Sequence, residues 1–388
     1  MAKYSLPETV SVALTDVGVG LGKAWFLTVT KNALETRGLV DGKDYAQFVL
    51  RTDGTRGERL KAWMANQIYL QGARGPMRHK GYELLRNILP SGSHLINGSK
   101  DLFHSRPDVV AVSVHAMAAP RRKGDVIWQS DLWEEPALFD GVSEVFVPTA
   151  KMWDKIVREK RHPKERLHVG GFLIHEFLLD DARFQDRIKR IQSGNPVNVL
   201  LALTGQSAAS QVEMIRSDFG NLAHLGQERI DLTVFAGTNL KLAHEFAVRF
   251  IKAGNSRVRV VCDADRYAAV EKFTQCAQVA DVLVRPTVET AALAAVMAHV
   301  NLLGTNPNTL ANQIELEENG FEVAAAVVRR LGIAATLYDE LETKRGVDLV
   351  ENMLRARTGL NINGARELVN FLAKDRRVGD RIKVSPLV

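Results

Sequence analysis

The stretch from Ala280 to Gly320 constrains the fold of this chain more than any other part of the sequence. It combines a short apolar strand, a polar loop, an alanine-rich helix at Glu289–Ala298, a second short strand, a second polar loop and a second helix. Strand–helix–strand units of this kind build parallel α/β sheets. Each helix is expected to begin at a strand end, where unpaired N–H groups and a partial positive charge suit a phosphorylated ligand. The stretch therefore predicts a parallel sheet with two helix N-termini at one ligand site.

The same alternation of strand and helix patterns occurs in two series, and 388 residues exceed what a single hydrophobic core usually serves. The first series of strands is predicted at Val10–Thr15, Tyr45–Leu50, His94–Asn97, Val109–Val114, Val126–Gln129, Glu144–Val147 and His168–Phe172. The second series is predicted at Val197–Leu203, Leu232–Ala236, Val258–Val261, Val282–Val284 and Val300–Leu303. The predicted fold class is α/β, with two Rossmann-like, doubly wound parallel-sheet domains that face an interdomain cleft.

Domain boundaries follow from where the alternation stops and restarts. Residues 1–175 form the predicted N-terminal domain, and residues 197–354 form the predicted C-terminal domain. Between them, the polar helical segment 176–196 ends in Ser193-Gly194-Asn195-Pro196 and is predicted to be a linker. Residues 355–388 form a basic, helical tail without a strand pattern.

Composition indicates an ordinary soluble globular protein of the cytoplasm, because 46% of the residues are hydrophobic and 25% are charged. No apolar run approaches the ~20 residues that span a bilayer, and the first residues lack the apolar core of a secretion signal. Cys262 and Cys276 are expected to be buried, reduced thiols, and no metal-type cysteine–histidine spacing surrounds them. We therefore predict no metal site.

A basic region between Arg51 and Arg86 carries Trp63, Tyr69 and Tyr82 among its arginines and lysines, in a chain of formal net charge +6. Such a region suits either a surface that meets anionic lipid or another polyanion, or a solvated helical face whose aromatic side chains point inward. No nucleic-acid-binding motif is present, so no nucleic acid is expected as a partner. The prediction is a cytoplasmic protein, with peripheral binding to the inner face of the membrane as the functional alternative.

A glycine-rich loop, G-V-G-L-G-K at residues 18–23, follows the first strand. Glycine allows a tight turn and a close approach of a ligand to the main chain. The loop meets neither the dinucleotide spacing G-x-G-x-x-G nor the Walker A pattern, and no acidic residue follows the second strand to hold a ribose. A dinucleotide-dependent reductase is therefore disfavoured, and a turn without a ligand stays as the alternative to a binding loop. The residues predicted to contact an acceptor or a phosphate are Gly18, Gly20, Gly22 and Lys23.

Further motifs follow strand ends in both halves of the chain. In the first half they are Pro107-Asp108-Val109-Val110 with Ser113-Val114-His115, Ser130-Asp131-Leu132 with Val147-Pro148-Thr149, and His168-Val169-Gly170-Gly171. In the second half they are Leu200–Ser207, Ala236-Gly237-Thr238-Asn239-Leu240-Lys241-Leu242, and Asn312 ahead of Glu318-Asn319-Gly320. Their order resembles the GT-B glycosyltransferases, especially the monogalactosyldiacylglycerol synthases and MurG, over nearly the whole chain. The resemblance implies that the helical segment 355–388 crosses back to the N-terminal domain.

Several positions depart from the pattern of that family. The histidine of the family's first loop is replaced near Leu21 or Lys23, and the glycine-rich donor loop corresponds here to Arg285-Pro286-Thr287-Val288-Glu289-Thr290. The glutamate that holds the nucleotide ribose in the family falls at Leu293. The P-G-Q-E loop corresponds to Asn306-Pro307-Asn308-Thr309. These losses leave the donor identity and the activity open.

The resemblance implies an inverting, metal-independent transfer from a nucleotide sugar, with a UDP-sugar as the expected co-substrate and no cofactor. In such a transfer a base takes the proton of the acceptor hydroxyl while the nucleotide diphosphate leaves. Asp131, His115 and Asp16 are the catalytic candidates, and all three lie at predicted strand ends. Each has a structural alternative: a turn cap for Asp131, a hydrogen-bonded structural histidine for His115, and orientation of the glycine loop for Asp16.

Donor binding is expected at the strand ends of the C-terminal domain. Arg285 offers several fixed donors to a diphosphate, or forms a surface ion pair. Glu289 either replaces the lost ribose-binding glutamate or is a first-turn helix residue, and Ser207 and Asn239 either bind the ligand or cap helices. The expected donor-binding residues are Gly205, Gln206, Ser207, Gly237, Asn239, Arg285, Thr287, Glu289, Thr290 and Asn312.

Three functions follow from these motifs and departures. The first is a nucleotide-sugar-dependent glycosyltransferase with a lipid-linked or membrane-associated acceptor. The second is a sugar-nucleotide 2-epimerase, which shares the two-domain layout. The third is a catalytically silent protein that binds a nucleotide sugar or a partner protein, which the degenerate donor loops favour. Turnover of a donor separates the first from the third, and departure of the sugar from the nucleotide separates the first from the second.

Overall fold

The structure is a computed structural model that divides into two compact units. Unit 1 comprises Met1–Val19, Lys23–Glu176 and Asn361–Val388, and unit 2 comprises Gly20–Gly22 and Phe177–Leu360. The residues that the structure describes are 6–18, 20–53, 55–60, 63–64, 103, 105–115, 118–132, 140–203, 209–225, 229–255, 257–286, 290–304 and 307–382.

Unit 1 is built on a six-stranded parallel sheet with the strand order β2-β1-β3-β4-β5-β6. The strands are β1 (Val12–Asp16), β2 (Tyr45–Val49), β3 (Val110–Ser113), β4 (Val126–Trp128), β5 (Glu144–Val147) and β6 (Leu167–Val169). The helices that accompany this sheet are α1 (Leu21–Thr36), α2 (Leu50–Asp53), α3 (Ala150–Arg158) and α13 (Gly364–Ala373). The central strands are continuous runs of buried residues, as expected for a parallel sheet that is covered on both faces.

Unit 2 is built on a five-stranded parallel sheet with the strand order β11-β10-β7-β8-β9. The strands are β7 (Val197–Ala202), β8 (Ile230–Phe235), β9 (Val258–Val261), β10 (Val282–Pro286) and β11 (Ala298–Leu302). Counted within the unit from β9, the order is 3-2-1-4-5, which is the Rossmann order. The helices are α4 (Asp181–Gln192), α5 (Ala209–Ser217), α6 (Phe219–Leu225), α7 (Leu240–Lys252), α8 (Arg266–Val279), α9 (Pro307–Glu318), α10 (Ala325–Leu331), α11 (Ile333–Tyr338) and α12 (Val347–Gly359).

Helix α7 illustrates how the sequence pattern produces these layers. Its buried residues are Leu242, Ala243, Phe246 and Phe250, which recur at three- and four-residue intervals and so form one face. Leu242, Phe246 and Phe250 belong to the apolar core of unit 2. Arg249 and Lys252 lie in the last turn, where the helix dipole favours positive charge.

The C-terminal helix α13 packs in unit 1. Phe371 of α13 lies edge-on to Phe146 of β5 at 5.1 Å between ring centroids, and Phe146 stacks on Trp128 at 4.6 Å. The backbone N–H of Gly364 donates to the carbonyl of Phe172 at 3.1 Å. A Cβ at Gly364 would lie 2.5 Å from that carbonyl oxygen, so glycine is needed where α13 starts. Helix α13 therefore completes the core around the first sheet.

The predicted fold class is confirmed: both units are α/β, each with a fully parallel sheet. Within the described residues, a strand is present at every position where one was predicted, with ends that match the prediction or differ from it by a few residues. The predicted strand His94–Asn97 lies outside the described residues. The segment between β7 and β8 carries two helices, α5 and α6, separated at Asp218, whose carboxylate accepts a bond from the Ala334 backbone N–H at 2.7 Å. None of the described helices is long and apolar enough to cross a membrane.

One prediction about the 280–320 stretch is wrong. The alanine-rich helix expected at Glu289–Ala298 is, in its described part, a five-residue 3-10 helix at Ala291–Ala295, and strand β11 already begins at Ala298. All five residues of the 3-10 helix are buried. Tertiary packing of these small side chains overrides the helix propensity of alanine. Of the two expected helix N-termini, the structure provides a full helix only at α9.

The segment expected to be a linker contributes to the core of unit 2. Helix α4 buries Phe184, Arg187 and Ile191. The Arg187 guanidinium donates to the carbonyls of Ala280 at 2.8 Å and Ala277 at 3.0 Å, and further to those of Gln278 and Val296. A buried arginine that satisfies several carbonyl groups fixes α4 against the end of α8 and the start of β10.

Candidate functional site

In unit 1 the strand order reverses between β1 and β3, which is where doubly wound sheets bind ligands. Strand β1 ends at Asp16, which is fully buried, and β3 ends at Ser113. Thr15 Oγ1 and Ser113 Oγ are hydrogen-bonded at 2.5 Å across this pair of strands. His115 follows β3 and is buried. The carboxyl ends of β1, β3 and β4, with Asp16, His115, Ser130, Asp131 and Lys23, are called the unit 1 edge.

The glycine-rich loop lies at this edge and depends on its glycines. Gly18 has φ +77° and Gly20 has φ +72°, both in the left-handed region that residues other than glycine rarely adopt. Helix α1 begins immediately afterwards, at Leu21. The loop therefore turns the chain from β1 into α1 and brings Lys23 into the first turn of that helix.

Lys23 is the residue that links the loop to the end of β4. Its Nζ donates to Ser130 Oγ at 2.9 Å and lies 3.8 Å from Asp131 Oδ2. The side chain of Lys23 is 11% exposed and that of Asp131 is 2% exposed. Gln129 Nε2 donates to the backbone carbonyl of Asp131 at 3.0 Å, which fixes the main chain at this point. Four predicted residues thus lie at one edge: Asp16 at the end of β1, His115 after β3, and Lys23 in direct contact with Asp131.

In unit 2 the strand order reverses between β7 and β10. The carboxyl ends of β7, β10 and β11, with Arg285, Thr290 and Asn312, are called the unit 2 edge. Several residues predicted for donor binding here lie outside the described residues, so the structure says nothing of them. They are Gly205, Gln206, Ser207, Thr287 and Glu289.

Arg285 lies near the end of β10 and is buried, not on the surface. Its Nε donates to the carbonyl of Pro286 at 3.0 Å. Nearby on β11, His299 lies with Nδ1 3.1 Å from Glu322 Oε2, and both side chains are fully buried. Burial lowers the pKa of His299 well below its ordinary value, and the charge of Arg285 acts in the same direction. His299 is therefore neutral near pH 7, and the unit 2 edge has a buried polar layer beneath its loops.

Thr290 opens the 3-10 helix that follows β10. Its carbonyl accepts the backbone N–H of Leu293 at 2.9 Å, and its Oγ1 is buried without a hydrogen-bond partner among the described residues. A buried hydroxyl without a partner is uncommon in folded proteins and often marks a ligand or an ordered water. Leu293, at the position of the family's ribose-binding glutamate, is fully buried, and its side chain offers no polar group.

Helix α9 begins at Pro307, beyond β11. Asn312 is fully buried on this helix, and Gln313 Oε1 accepts the backbone N–H of Gly304 at 3.0 Å. Near the other end of α9, Glu317 Oε1 accepts bonds from Asn301 Nδ2 at 3.1 Å and from the backbone N–H of Ala325 at 2.8 Å. Polar contacts at both ends thus hold α9 to β11, which fixes the position of its N-terminus.

Gly237 and Asn239 have local structural roles. Gly237 is in the left-handed region at φ +62°, so it is the turn between β8 and α7 that requires glycine. Asn239 is the N-cap of α7: its Oδ1 accepts the backbone N–H of Leu242 at 3.0 Å. This is the capping role that the sequence left open beside ligand binding.

A cavity of about 380 Å³ lies at the opposite edge of the unit 2 sheet, around the residues that precede β7, β8 and β9. Arg229 in its wall already donates to the carbonyls of Ile191, Asn195 and Leu341, and to Glu342. The arginine joins the end of α4 to the segment that directly follows α11, so this cavity is a structural junction. No cluster of three metal-ligating side chains is present within the described part of the chain.

Sequence reasoning missed two groups that shape the edges. Ser130 is the direct partner of Lys23, and its only signal is its position beside Asp131 after a strand. The pair of His299 and Glu322 joins residues far apart in the sequence, with no pattern to connect them.

No protein-family model matches the chain, and no curated protein sequence does. Solved structures do match over nearly its full length. Staphylococcus aureus MnaA, solved with UDP, is 13% identical with a TM-score of 0.53, over 97% of this chain and 98% of that one. Acinetobacter baumannii MurG is 13% identical with a TM-score of 0.51, over 94% and 99%. UDP-GlcNAc 2-epimerase from Neisseria meningitidis, bound to UDP-GlcNAc, is 12% identical with a TM-score of 0.51, over 94% and 100%.

These likenesses establish the fold. The chain has two Rossmann-like parallel-sheet domains of the GT-B type, as its motif order predicted. At identities near one residue in eight, shared fold alone does not carry substrate or activity from one protein to another.

Proposed function

We propose that this protein is a glycosyltransferase that moves a sugar from a UDP-sugar to a hydroxyl acceptor, with inversion and without a metal. The observation that carries the proposal is the unit 1 edge, where Asp131 is buried in contact with Lys23 at the end of β4. A buried carboxylate at a ligand-binding strand end is suited to accept a proton. The solved proteins of the same fold include ones bound to UDP and to UDP-GlcNAc, which supports the donor class.

The proposed reaction is a single displacement at the anomeric carbon of the donor sugar. The acceptor hydroxyl oxygen attacks the anomeric carbon of the sugar while its proton passes to the Asp131 carboxylate. The bond from the anomeric carbon to the β-phosphate oxygen breaks, and the nucleoside diphosphate leaves with the electron pair. One displacement inverts the anomeric configuration. His115 and Asp16 at the same edge are the remaining catalytic candidates, with Asp16 proposed to orient the glycine loop.

The donor is assigned to the unit 2 edge. The buried Thr290 hydroxyl offers a hydrogen bond that no described residue uses. The loops after β7 and β10, with Gly205, Gln206, Ser207, Thr287 and Glu289, and the N-terminus of α9 are proposed to supply further donors to the phosphates. Arg285 contributes a positive charge beneath this edge, which favours the diphosphate that forms as the sugar leaves.

The acceptor is proposed to be lipid-linked. Leu60, Trp63 and Met64 are more than half exposed, at 57%, 52% and 51%. In a helix their spacing puts three apolar side chains on one face, beside the exposed residues Arg56 and Arg59. Sedimentation with phosphatidylglycerol vesicles tests this assignment. Weaker vesicle binding by the double variant Leu60→Ser, Trp63→Ser than by the wild type supports a membrane-bound acceptor. Equal binding by the two proteins contradicts it.

Product analysis after incubation with UDP-glucose, UDP-galactose or UDP-N-acetylglucosamine tests the reaction. Release of UDP with transfer of the sugar to a hydroxyl compound supports the proposal. Conversion of the UDP-sugar to its 2-epimer, with the sugar still on the nucleotide, replaces it with the epimerase. Binding of UDP without either product replaces it with a silent nucleotide-sugar-binding protein, which the loss of the P-G-Q-E residues favours.

A further inference from the structure

Lys23 is placed by three features that have separate origins in the sequence. The left-handed glycines at residues 18 and 20 turn the chain out of β1, and α1 begins at Leu21. Lys23 is then on the first turn of α1, with its side chain 11% exposed. Its Nζ contacts Ser130 and Asp131, which follow β4. The ammonium group therefore joins the glycine loop to the carboxylate that is proposed as the base.

A buried ammonium group needs acceptors, because an unpaired charge away from water is strongly unfavourable. Ser130 Oγ accepts at 2.9 Å and Asp131 Oδ2 lies 3.8 Å away. The same argument holds for Asp131, whose side chain is 2% exposed. Each charge thus stabilises the other. The Gln129 side chain also fixes the backbone of Asp131, because its Nε2 donates to the Asp131 carbonyl. The pair defines the position and the charge of the carboxylate together.

We propose that Lys23 is the positioning residue for Asp131, and this rests on the proposed transfer reaction. The ammonium holds the carboxylate ionised and oriented at the unit 1 edge. It keeps its own protons throughout, while the proton of the acceptor hydroxyl passes to Asp131. The first loop contains no histidine, so Lys23 is the ionisable side chain that this loop brings to the edge.

Steady-state UDP release, measured with whichever of the three UDP-sugars the protein uses, tests the catalytic part. We expect Lys23→Met to lower kcat by about 10²-fold, because misplacement of a catalytic group by about 1 Å has an effect of that size. The KM for the UDP-sugar is expected to stay within about twofold, and Lys23→Arg is expected to restore most of kcat. In an Asp131→Asn background, Lys23→Met is expected to cause little further loss. A raised KM with unchanged kcat would overturn the positioning role.

A double-mutant cycle in urea tests the pairing without reference to activity. It compares the unfolding midpoints of Lys23→Met, Asp131→Asn and the double variant with the wild type. We expect the double variant to shift less than the sum of the two single variants. Lys31→Met is the matched control, since Lys31 lies on the same helix and pairs with Asp41 at 2.9 Å on the surface. Combined with Asp131→Asn, that control is expected to be additive.

The two experiments separate the possible failures. If the shifts in unfolding midpoint of Lys23→Met and Asp131→Asn are additive and the wild-type protein transfers the sugar, the positioning role is overturned and the transfer reaction stands. Coupled midpoints without turnover by the wild type would overturn the transfer reaction and the catalytic use of Lys23 with it. Coupled midpoints together with the loss of kcat support the proposal.

Discussion

The unit 1 edge and the unit 2 edge have the same topological origin and different chemical content. Both lie where the strand order of a parallel sheet reverses. The unit 1 edge brings Lys23 into contact with a buried Asp131 and keeps Asp16 buried at the end of β1. In its described part, the unit 2 edge has an apolar 3-10 helix, a neutral histidine and a threonine hydroxyl. Topology thus fixes where a ligand site can form, and a few residues after each strand decide which chemistry it performs.

The largest effect is expected from Asp131→Asn, which removes the proposed base and leaves the shape of the unit 1 edge almost unchanged. Loss of a general base lowers kcat by roughly 10²–10⁴-fold. The affinity for UDP is expected to stay near that of the wild type, because the nucleotide is assigned to the other edge. Steady-state kinetics and calorimetric titration of UDP check the two halves of this prediction. Full turnover in the variant would remove Asp131 from the base role.

Arg187→Met is expected to have the next largest effect, on stability. It leaves the carbonyls of Ala277, Gln278, Ala280 and Val296 without their buried donor, with an expected loss of about 3 kcal/mol or more in the free energy of unfolding. Urea unfolding provides the measurement. Lys189→Met, an exposed change on the same helix, is the control and is expected to be nearly neutral. Equal midpoints for the two variants would show that the Arg187 guanidinium does not stabilise unit 2.

His175 is expected to make the free energy of unfolding depend on pH, and substitution of this histidine should remove that dependence. It lies against Trp25 of α1 at 4.7 Å between ring centroids, and Asn32 Nδ2 donates to its Nδ1 at 3.2 Å. Burial lowers the pKa of His175 to about 4. Between about pH 6.5 and pH 4 the unfolded chain therefore binds a proton that the folded chain does not, and stability falls as the pH falls.

Over that range, protonation of His175 in the unfolded chain lowers the free energy of unfolding by about 3 kcal/mol. In urea unfolding at several pH values, His175→Gln is expected to flatten the loss, whereas the exposed His244→Gln on α7 is expected to leave it unchanged. An unaltered pH slope in His175→Gln would mean that the pKa of His175 is not lowered in the folded protein.

Arg285→Lys is expected to have the smallest effect of the four. It keeps the positive charge and removes the rigid guanidinium at the unit 2 edge, so we expect UDP affinity to fall by about tenfold. The measurement is the rise in melting temperature that UDP produces, which depends on affinity by mass action. Arg259→Lys, on the far edge strand of the same sheet, is the control. An unchanged rise in Arg285→Lys would move the donor site away from β10.

The sequence was sufficient to predict the sheets, since each strand is a compact apolar run bounded by turn residues. Val258–Val261 and Glu144–Val147 were predicted with their observed ends. The helix predicted at Glu289–Ala298 was wrong, because local helix propensity contains no information on tertiary burial. The structure has a buried 3-10 helix of four alanines and one leucine there. Propensity is decided within a short window, whereas burial is decided by the whole fold.

The candidate site was predictable in part for the same reason. Asp16, Lys23 and Asp131 could be named because each follows a strand, and strand ends of a parallel sheet meet at one edge. The contact between Lys23 and Ser130 could not be named, because it joins residues 107 apart and depends on the register of β1, β3 and β4. The pairing of His299 with Glu322 depends in the same way on where the chain returns after α9.

The most direct test of the account is calorimetric titration of UDP, GDP, dTDP, CMP and ADP into the wild-type protein. The account predicts saturable binding of one UDP per chain, with the other nucleotides clearly weaker. The same UDP affinity is predicted for Lys23→Met, because the nucleotide does not use the unit 1 edge. No heat with any of the five, or loss of UDP binding in Lys23→Met, would contradict the division of labour between the two edges.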